Sequence, residues 1–132
     1  MLSTVAREAG HAHRVLIVED DEDVREAMVQ LLKTVGYVAI GVANGYEALS
    51  RLRAAPMPCL ILLDLMMPIM DGWQFRQRQL GDSKLARVPV IVCSAHGSVE
   101  DNMASLRVAH YLRKPVDLEA LLDVIARCCA RE

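Results

Sequence analysis

The chain has 132 residues, of which 53% are hydrophobic and 24% are charged, and its formal net charge is −2. This length suffices for one domain with a hydrophobic core, and the small net charge gives no electrostatic basis for binding nucleic acid or an anionic membrane. No apolar run reaches the ~18 residues that a membrane span needs, and the N-terminal residues lack the apolar segment of a secretory signal.

Short apolar strands alternate with amphipathic helices along the chain. The segment RVLIV at 14–18 is apolar and rich in β-branched residues, which is typical of a buried strand, and the acidic residues at 21–23 favour a helix start. Further strands are predicted at 37–43, 59–63, 88–94 and 109–112. The first helix is predicted to end near Gly36, and further helices are predicted from Asn44 through Leu52, at 72–80, at 98–107 and from Asp117 onward.

The predicted fold is an α/β domain with a doubly wound parallel sheet. Five strands that are apolar on both faces need helices on both sides of the sheet, and the alternation of strands and helices supplies them. Residues 14–132 would form this domain. Residues 1–13 would form an N-terminal tail that we expect to be flexible.

Polar side chains follow four of the five predicted strands. These residues are Glu19 and Asp20 after the first strand, Asp64 after the third, Ser94 after the fourth and Lys114 after the fifth. In doubly wound sheets, ligands bind beyond the carboxyl ends of the strands, where the strand order reverses. The sequence therefore predicts that three carboxylates, one hydroxyl and one ammonium group meet at one edge of the sheet.

This set of groups predicts a site for a cation and a phosphoryl group. Three carboxylates that lie close together repel one another, and each resists ionisation. A divalent cation removes the repulsion, and Mg²⁺ takes oxygen ligands from one or two carboxylates while it keeps waters and a phosphate in its shell. Lys114 adds a positive charge and Ser94 adds a hydroxyl donor. Together they would bind a phosphoryl group on or near Asp64.

Four segments carry a family resemblance. They are VLIVEDD at 15–21, LILLDLMMPIMDG at 60–72, VIVCSAH at 90–96 and YLRKP at 111–115. In this order and at these strand ends, they resemble the receiver domain of response regulators in bacterial two-component systems, over nearly the whole chain. The resemblance implies a flavodoxin-like sheet with strand order 2-1-3-4-5 and five helices. It also implies a signalling switch that phosphorylation activates.

The resemblance implies a role for each acidic residue of the cluster. Asp64 would accept a phosphoryl group from a phosphohistidine. Asp20, Asp64 and the backbone carbonyl of Met66 would bind Mg²⁺, for which Mn²⁺ can substitute, and Glu19 would hold a metal-bound water. Asp21 competes with Glu19 for this last role, but the phase of the first strand favours Glu19.

The remaining implied roles concern the phosphoryl oxygens and the switch. Lys114, Ser94 and the backbone of Ala95 would bind these oxygens. Ser94 would move together with Tyr111, whose rotamer would change, and Pro115 would follow a cis peptide bond. The signal would leave through the face around the fourth helix, the fifth strand and the fifth helix.

Two side chains would set the lifetime of the aspartyl phosphate. In the resembled family, the residues at the positions of Met66 and His96 flank the path of the attacking water. Met66 is bulky and offers no useful hydrogen bond to orient a water, while His96 titrates near neutral pH. Slow self-dephosphorylation is therefore predicted. The chain would catalyse its own phosphotransfer without being a conventional enzyme.

Two other functions fit parts of the pattern. A Mg²⁺-dependent phosphatase with an aspartyl nucleophile commonly uses a general acid two positions later, but Met66 cannot transfer a proton. A pseudo-receiver that acts without phosphorylation would have no need of Asp64, Asp20 and Lys114, which are all present. Both functions stay open as alternatives.

The resemblance also implies partners. The phosphoryl donor would be a sensor histidine kinase or a histidine phosphotransfer protein, and the target would be a downstream protein. We expect neither direct nucleic-acid binding nor membrane insertion, and either a monomer or a phosphorylation-dependent dimer. The chain would be a single-domain regulator or the receiver fragment of a larger regulator or hybrid kinase.

The four cysteines form no C-x-x-C pair, which predicts reduced thiols in the cytoplasm and no intramolecular disulfide.

The sequence departs from the family pattern between Ser94 and Lys114. This segment is slightly shorter than usual, and Val108 and Ala109 stand where relatives commonly have a Gly-Ala pair. Val116 follows the proline, where relatives often have an aromatic residue. These departures fall on the predicted output face and leave the charged cluster intact.

Overall fold

One parallel sheet lies at the centre of the fold. The computed structural model describes residues 13–54, 56–95 and 104–130, and within them five strands pair in the order β2-β1-β3-β4-β5. The strands are β1 (Arg14–Val18), β2 (Val38–Val42), β3 (Leu60–Leu63), β4 (Val90–Ser94) and β5 (His110–Arg113). The predicted doubly wound sheet and its strand order are confirmed.

A helix follows each strand. The helices are α1 (Glu22–Thr34), α2 (Gly45–Arg53), α3 (Gly72–Leu80), α4 (helical at 104–106) and α5 (Leu118–Ala130), and a short 3-10 helix (Leu85–Arg87) precedes β4. Positions 98–103 of the predicted fourth helix lie outside the described residues. In the described ranges, none of the helices combines the length and the apolar character that crossing a membrane requires.

Three side-chain caps fix where the first helices begin. Asp21, Asn44 and Asp71 each accept a hydrogen bond from a backbone N–H in the first turn of α1, α2 and α3. Such caps satisfy N–H groups that have no partner inside the helix. For α3, Gln74 completes a capping box by accepting from the N–H of Asp71. The loops that leave the carboxyl edge of the sheet therefore have defined ends.

The strands bury side chains on both faces of the sheet. Val15, Ile17 and Leu62 point into a core with α1 and α5, whereas Leu16 and Ile61 point into a core with α2, α3 and α4. This double burial explains why the strands carry no alternating polar residues. The polar residues at the carboxyl ends of the strands are therefore exceptions to this apolar pattern, and burial in the core does not explain their presence.

All four cysteines lie within the described residues and are free thiols.

Candidate functional site

Strand pairing brings two buried carboxylates together at the carboxyl edge of the sheet. β1 and β3 are in parallel register, with Val18 opposite Leu63, so the residues that follow them, Glu19 and Asp64, are neighbours. The backbone N–H of Asp64 donates to the carbonyl of Val18 at 3.0 Å. One carboxylate oxygen from each of Glu19, Asp20 and Asp64 lies within 4.8 Å of the other two. The predicted acidic cluster is thus brought together in space.

Lys114 supplies positive charge to this cluster. Its backbone N–H donates to the carbonyl of Ser94 at 3.1 Å, which extends the pairing of β4 and β5 to the sheet edge. Its Nζ lies 2.8 Å from Glu19 Oε1 and 3.7 Å from Asp64 Oδ2. The Lys114–Pro115 peptide bond is cis. In the part of the chain that the structure describes, Lys114 is the one cation that forms ion pairs with this cluster, and its partners are Glu19 and Asp64.

Arg25 supports the loop that carries the acidic residues. The sequence analysis did not identify it as a residue of the site. Its Nη1 donates to the carbonyl oxygens of Glu19 at 2.9 Å and of Asp20 at 3.5 Å. Gly41 in β2 leaves room for this side chain, because a Cβ at that position would lie 2.7 Å from Arg25 Cγ. A glycine inside a strand often marks such a close approach. Gly41, inside a predicted strand, was therefore the feature of the sequence that could have indicated the contact with Arg25.

Burial and the neighbouring Glu19 raise the proton affinity of Asp64 and Asp20. Burial, followed by the charge of Glu19, raises the pKa of Asp64 from 3.8 to about 6, although Lys114 opposes the shift. Burial and a hydrogen bond with Glu19 also raise the pKa of Asp20. Burial alone would lower the pKa of Lys114, but its hydrogen bond to Glu19 and the charge of Asp64 raise it. The cluster therefore carries more negative charge than its protein surroundings stabilise.

The predicted switch residues, Ser94 and Tyr111, lie on the neighbouring strands β4 and β5. Ser94 is the last residue of β4 and is fully buried. Tyr111 lies in β5 beside Val92 and is partly buried against the core shared with α2 and α3. Ala95 follows at the sheet edge, and His96 lies outside the described residues.

Met66 and Asp21 are two further candidate site residues, and each takes part in a hydrogen bond near the acidic cluster. The N–H of Met66 donates to Asp64 Oδ1 at 3.4 Å, and its side chain is 49% exposed. Asp21 accepts a hydrogen bond from the N–H of Val24 at 3.1 Å as the cap of α1. Glu19, rather than its competitor Asp21, therefore stands in the acidic cluster.

The loop after Asp64 contains a strained residue. Ile69 has a φ of 71°, which lies in the left-handed region that β-branched residues rarely adopt. Its side chain is 75% exposed, so packing does little to offset the strain. A glycine would adopt this conformation without the clash of a Cβ.

We expect Ile69→Gly to raise the free energy of unfolding by about 1 kcal/mol, because it relieves this backbone strain. Urea denaturation of the two proteins measures the difference. Ile69→Val keeps the β-branch and should change the free energy by less than ~0.5 kcal/mol. A destabilised Ile69→Gly variant would mean that contacts of the isoleucine outweigh the strain.

Proteins similar to this chain share one domain type. A family model described as the response regulator receiver domain matches residues 15–126. Response regulator MprA of Mycobacterium ulcerans is 39% identical over 113 residues, which are 83% of this chain and 47% of that protein. The chain spans less than half the length of several curated relatives that it matches.

Solved structures with the same fold also resemble this chain. A response regulator receiver protein from Pseudomonas putida superposes with a TM-score of 0.82 at 30% identity, over 89% of this chain and 98% of that one. The phosphorylated cyanobacterial phytochrome response regulator RcpA superposes with a TM-score of 0.73 at 30% identity, over 89% of this chain and 91% of that one.

Proposed function

The chain belongs to the response regulator receiver family, and from this membership we propose that it is a switch activated by phosphorylation of Asp64. One observation carries the proposal. The buried Asp64 carboxylate, at the carboxyl end of β3, lies within 4.8 Å of two further carboxylates and 3.7 Å from Lys114 Nζ. A simple turn-forming aspartate would need none of these neighbours.

Mg²⁺ is the cofactor that this donor set fits. Glu19, Asp20 and Asp64 offer carboxylate oxygens, which hard cations prefer, and the group contains no softer sulfur or imidazole ligand. Asp20, Asp64 and the carbonyl of Met66 would hold the ion, and Glu19 would hold a water in its shell. Mn²⁺ prefers the same oxygen ligands and would substitute. When bound, the ion neutralises negative charge on the phosphoryl oxygens.

Asp64 acts as the nucleophile in this proposal. One of its carboxylate oxygens forms a bond to phosphorus while the bond from phosphorus to the imidazole nitrogen of the donor breaks, and that nitrogen keeps the electron pair. Lys114 already lies between Glu19 and Asp64. In the phosphorylated state it would pair with a phosphoryl oxygen on Asp64.

Ser94 and the backbone of Ala95 bind the remaining phosphoryl oxygens. As Ser94 turns towards them, Tyr111 changes rotamer on the neighbouring strand. The change reaches the face formed by α4, β5 and α5, which a downstream protein reads. In this way a charge added at the sheet edge alters the surface that the downstream protein binds.

The proposed donor is a sensor histidine kinase or a histidine phosphotransfer protein in the cytoplasm. Receiver domains of response regulators interact with histidine kinases and with downstream targets. The domain acts as a single-domain regulator or as part of a larger regulator or hybrid kinase. A screen of purified kinases for phosphoryl transfer to this chain would identify the cognate one.

The direct test is incubation with acetyl phosphate and Mg²⁺, followed by intact mass spectrometry. Wild type should gain one phosphoryl group, and the gain should be absent with EDTA and in Asp64→Asn. Asp23→Asn is the matched control, since Asp23 is an exposed carboxylate in the first turn of α1, and it should react like wild type.

The same experiment separates the alternatives. Rapid turnover of varied phosphate esters without an accumulating acyl phosphate would favour the phosphatase. No reaction in wild type, with a folded protein and Mg²⁺ present, would favour the pseudo-receiver. Phosphorylation that persists in Asp64→Asn would place the acceptor elsewhere.

Met66 should slow the loss of the phosphoryl group. Its side chain is half-exposed beside Asp64 and cannot orient an attacking water by hydrogen bonding. We expect Met66→Asn to increase the hydrolysis rate by about tenfold, because an amide can position that water. The decay of phosphorylated protein in Mg²⁺ buffer measures the rate.

Met66→Lys is the matched control for this prediction. An ammonium group is a donor only, so it cannot accept a hydrogen bond from the attacking water, and the rate should not rise. Decay of wild type within seconds, or an unchanged rate in Met66→Asn, would contradict the role given to Met66.

A further inference from the structure

A buried arginine joins α3 to the end of α4. Arg76 is 6% exposed, and all three of its guanidinium nitrogens donate hydrogen bonds. Nε donates to the carbonyl of Leu106 at 2.8 Å, and Nη2 donates to that of Arg107 at 2.6 Å. Nη1 donates to Gln79 Oε1 at 2.7 Å, and Gln79 Nε2 continues the network to two carbonyls before β4.

The charge of Arg76 is held by neutral acceptors. Within the described residues they are two main-chain carbonyls and one amide oxygen, and no carboxylate pairs with this side chain. Burial, and then the charge of Arg107, lower the pKa of Arg76, but a guanidinium stays protonated in proteins. The carbonyl oxygens of Leu106 and Arg107 and the amide oxygen of Gln79 offset part of its charge. Displacing them would leave a buried cation unpaired, which is costly.

The chain turns at the end of α4, where Arg76 makes its contacts. Arg107 follows the helix with a φ of 54°, a position that is usually occupied by glycine. The guanidinium of Arg76 donates to the carbonyl oxygens of Leu106 and Arg107 at this turn. Arg76 therefore links α3 to the point where the chain leaves α4.

The same face of α3 also contacts the loop that carries Asp64. Gly72, Phe75, Arg76 and Gln79 are the buried residues of α3, and their spacing places them on one side of the helix. The N–H of Gly72 donates to the carbonyl of Leu65 at 2.9 Å. One short helix therefore fixes both the Asp64 loop, at its first turn, and the end of α4, one turn later.

We propose that Arg76 is a positioning residue that anchors the C-terminal end of α4, so that movement after phosphorylation is confined to the surface nearer Ser94. The part of this proposal that concerns phosphorylation rests on the proposed function. Because the bonds of Arg76 are short, charged and buried, they persist in both states. A downstream protein then meets a surface in which residues 104–109 keep their place while the Ser94 side changes.

The first arm of the test uses the unmodified protein. Arg76→Met removes the donors and keeps a long apolar stem, so amide hydrogen exchange at residues 104–109 should become about tenfold faster. Exchange in β1 should stay unchanged. Arg78→Met is the matched control, because it removes the same charge from an exposed position of α3. It should leave exchange at 104–109 as in wild type.

The second arm adds Mg²⁺ and beryllofluoride, an analogue of the phosphoryl group. In wild type, exchange at 104–109 should be the same with and without the analogue, while exchange around Ser94 and Lys114 changes. In Arg76→Met, residues 104–109 should respond as well. Arg76→Lys keeps the charge but lacks the planar fork that reaches three acceptors, so it should be intermediate. It replaces Arg76→Met if that variant does not fold.

Two results would overturn the anchor. Uniformly faster exchange over the whole chain in both Arg76 variants would show that Arg76 stabilises the fold as a whole and does not specifically anchor α4. A wild-type response at 104–109 as large as that at Ser94 would show that the helix end moves. If Asp64 takes up no phosphoryl group, the proposed function fails, and the first arm alone decides whether Arg76 holds the helix end.

Discussion

Replacing Asp64 by asparagine should stabilise the folded protein at neutral pH while it abolishes phosphorylation. The Asp64 carboxylate is buried, and Glu19 lies beside it, so its pKa is raised from 3.8 to about 6. A shift of about two units corresponds to roughly 3 kcal/mol of unfavourable interaction in the ionised form. Asparagine removes the charge with little change in shape. We expect the free energy of unfolding at about pH 7 to rise by about 2 kcal/mol.

The difference in the free energy of unfolding between Asp64→Asn and wild type should depend on pH. The folded state binds the Asp64 proton more tightly than the unfolded chain does, because the folded pKa is about 6 and the ordinary value is 3.8. Asp64 therefore contributes stability below about pH 4, and this contribution is lost as the pH rises through about 6. The advantage of Asp64→Asn should be small near pH 4 and complete by about pH 7. Urea denaturation in buffers with EDTA measures it.

Asp23→Asn is again the matched control. Asp23 is exposed at the start of α1, so its loss should change the free energy of unfolding by less than ~0.5 kcal/mol. If Asp64→Asn were no more stable than wild type at neutral pH, Lys114 would already balance the charge of Asp64. A difference that did not vary with pH would point to packing rather than ionisation.

The sheet could be predicted because its signals are local. Segments such as VLIV at 15–18 and LILL at 60–63 are apolar at every position, which few structures other than a covered parallel strand permit. Helix starts were predicted at 21–23 and at Asn44, and in the structure Asp21 and Asn44 cap the helices that begin there. Ile69 was not predicted to be strained, because nothing in its neighbours indicates a φ of 71°.

The grouping of the site residues was predictable for a topological reason. Glu19, Asp64 and Lys114 each follow a parallel strand, and the carboxyl ends of such strands share one edge. The partners of long side chains were not predictable in this way. Lys114 lies 2.8 Å from Glu19, 95 positions away in sequence, and Arg76 reaches α4 across 30 positions. Such contacts depend on how the helices pack, which strand order alone does not determine.

The start of α3 lies against the backbone of the Asp64 loop with no space to spare. A Cβ at Gly72 would lie 2.7 Å from the carbonyl oxygen of Asp64 and 2.7 Å from the Cα of Leu65. Both are backbone atoms, so no rotamer change can relieve the contact. The N–H of Gly72 also donates to the carbonyl of Leu65 at 2.9 Å. Any added atom must push the helix and the loop apart.

Gly72→Ala should therefore lower the free energy of unfolding by about 2 to 3 kcal/mol, and it should slow phosphorylation because it moves Asp64 relative to Lys114. Urea denaturation and the rate of uptake from acetyl phosphate measure the two effects. Gly81→Ala makes the same change at the other end of α3, where the nearest atom is 3.5 Å away and φ is −74°. It should be neutral or stabilising by up to ~1 kcal/mol. Wild-type stability and uptake in Gly72→Ala would mean that α3 can shift without displacing Asp64.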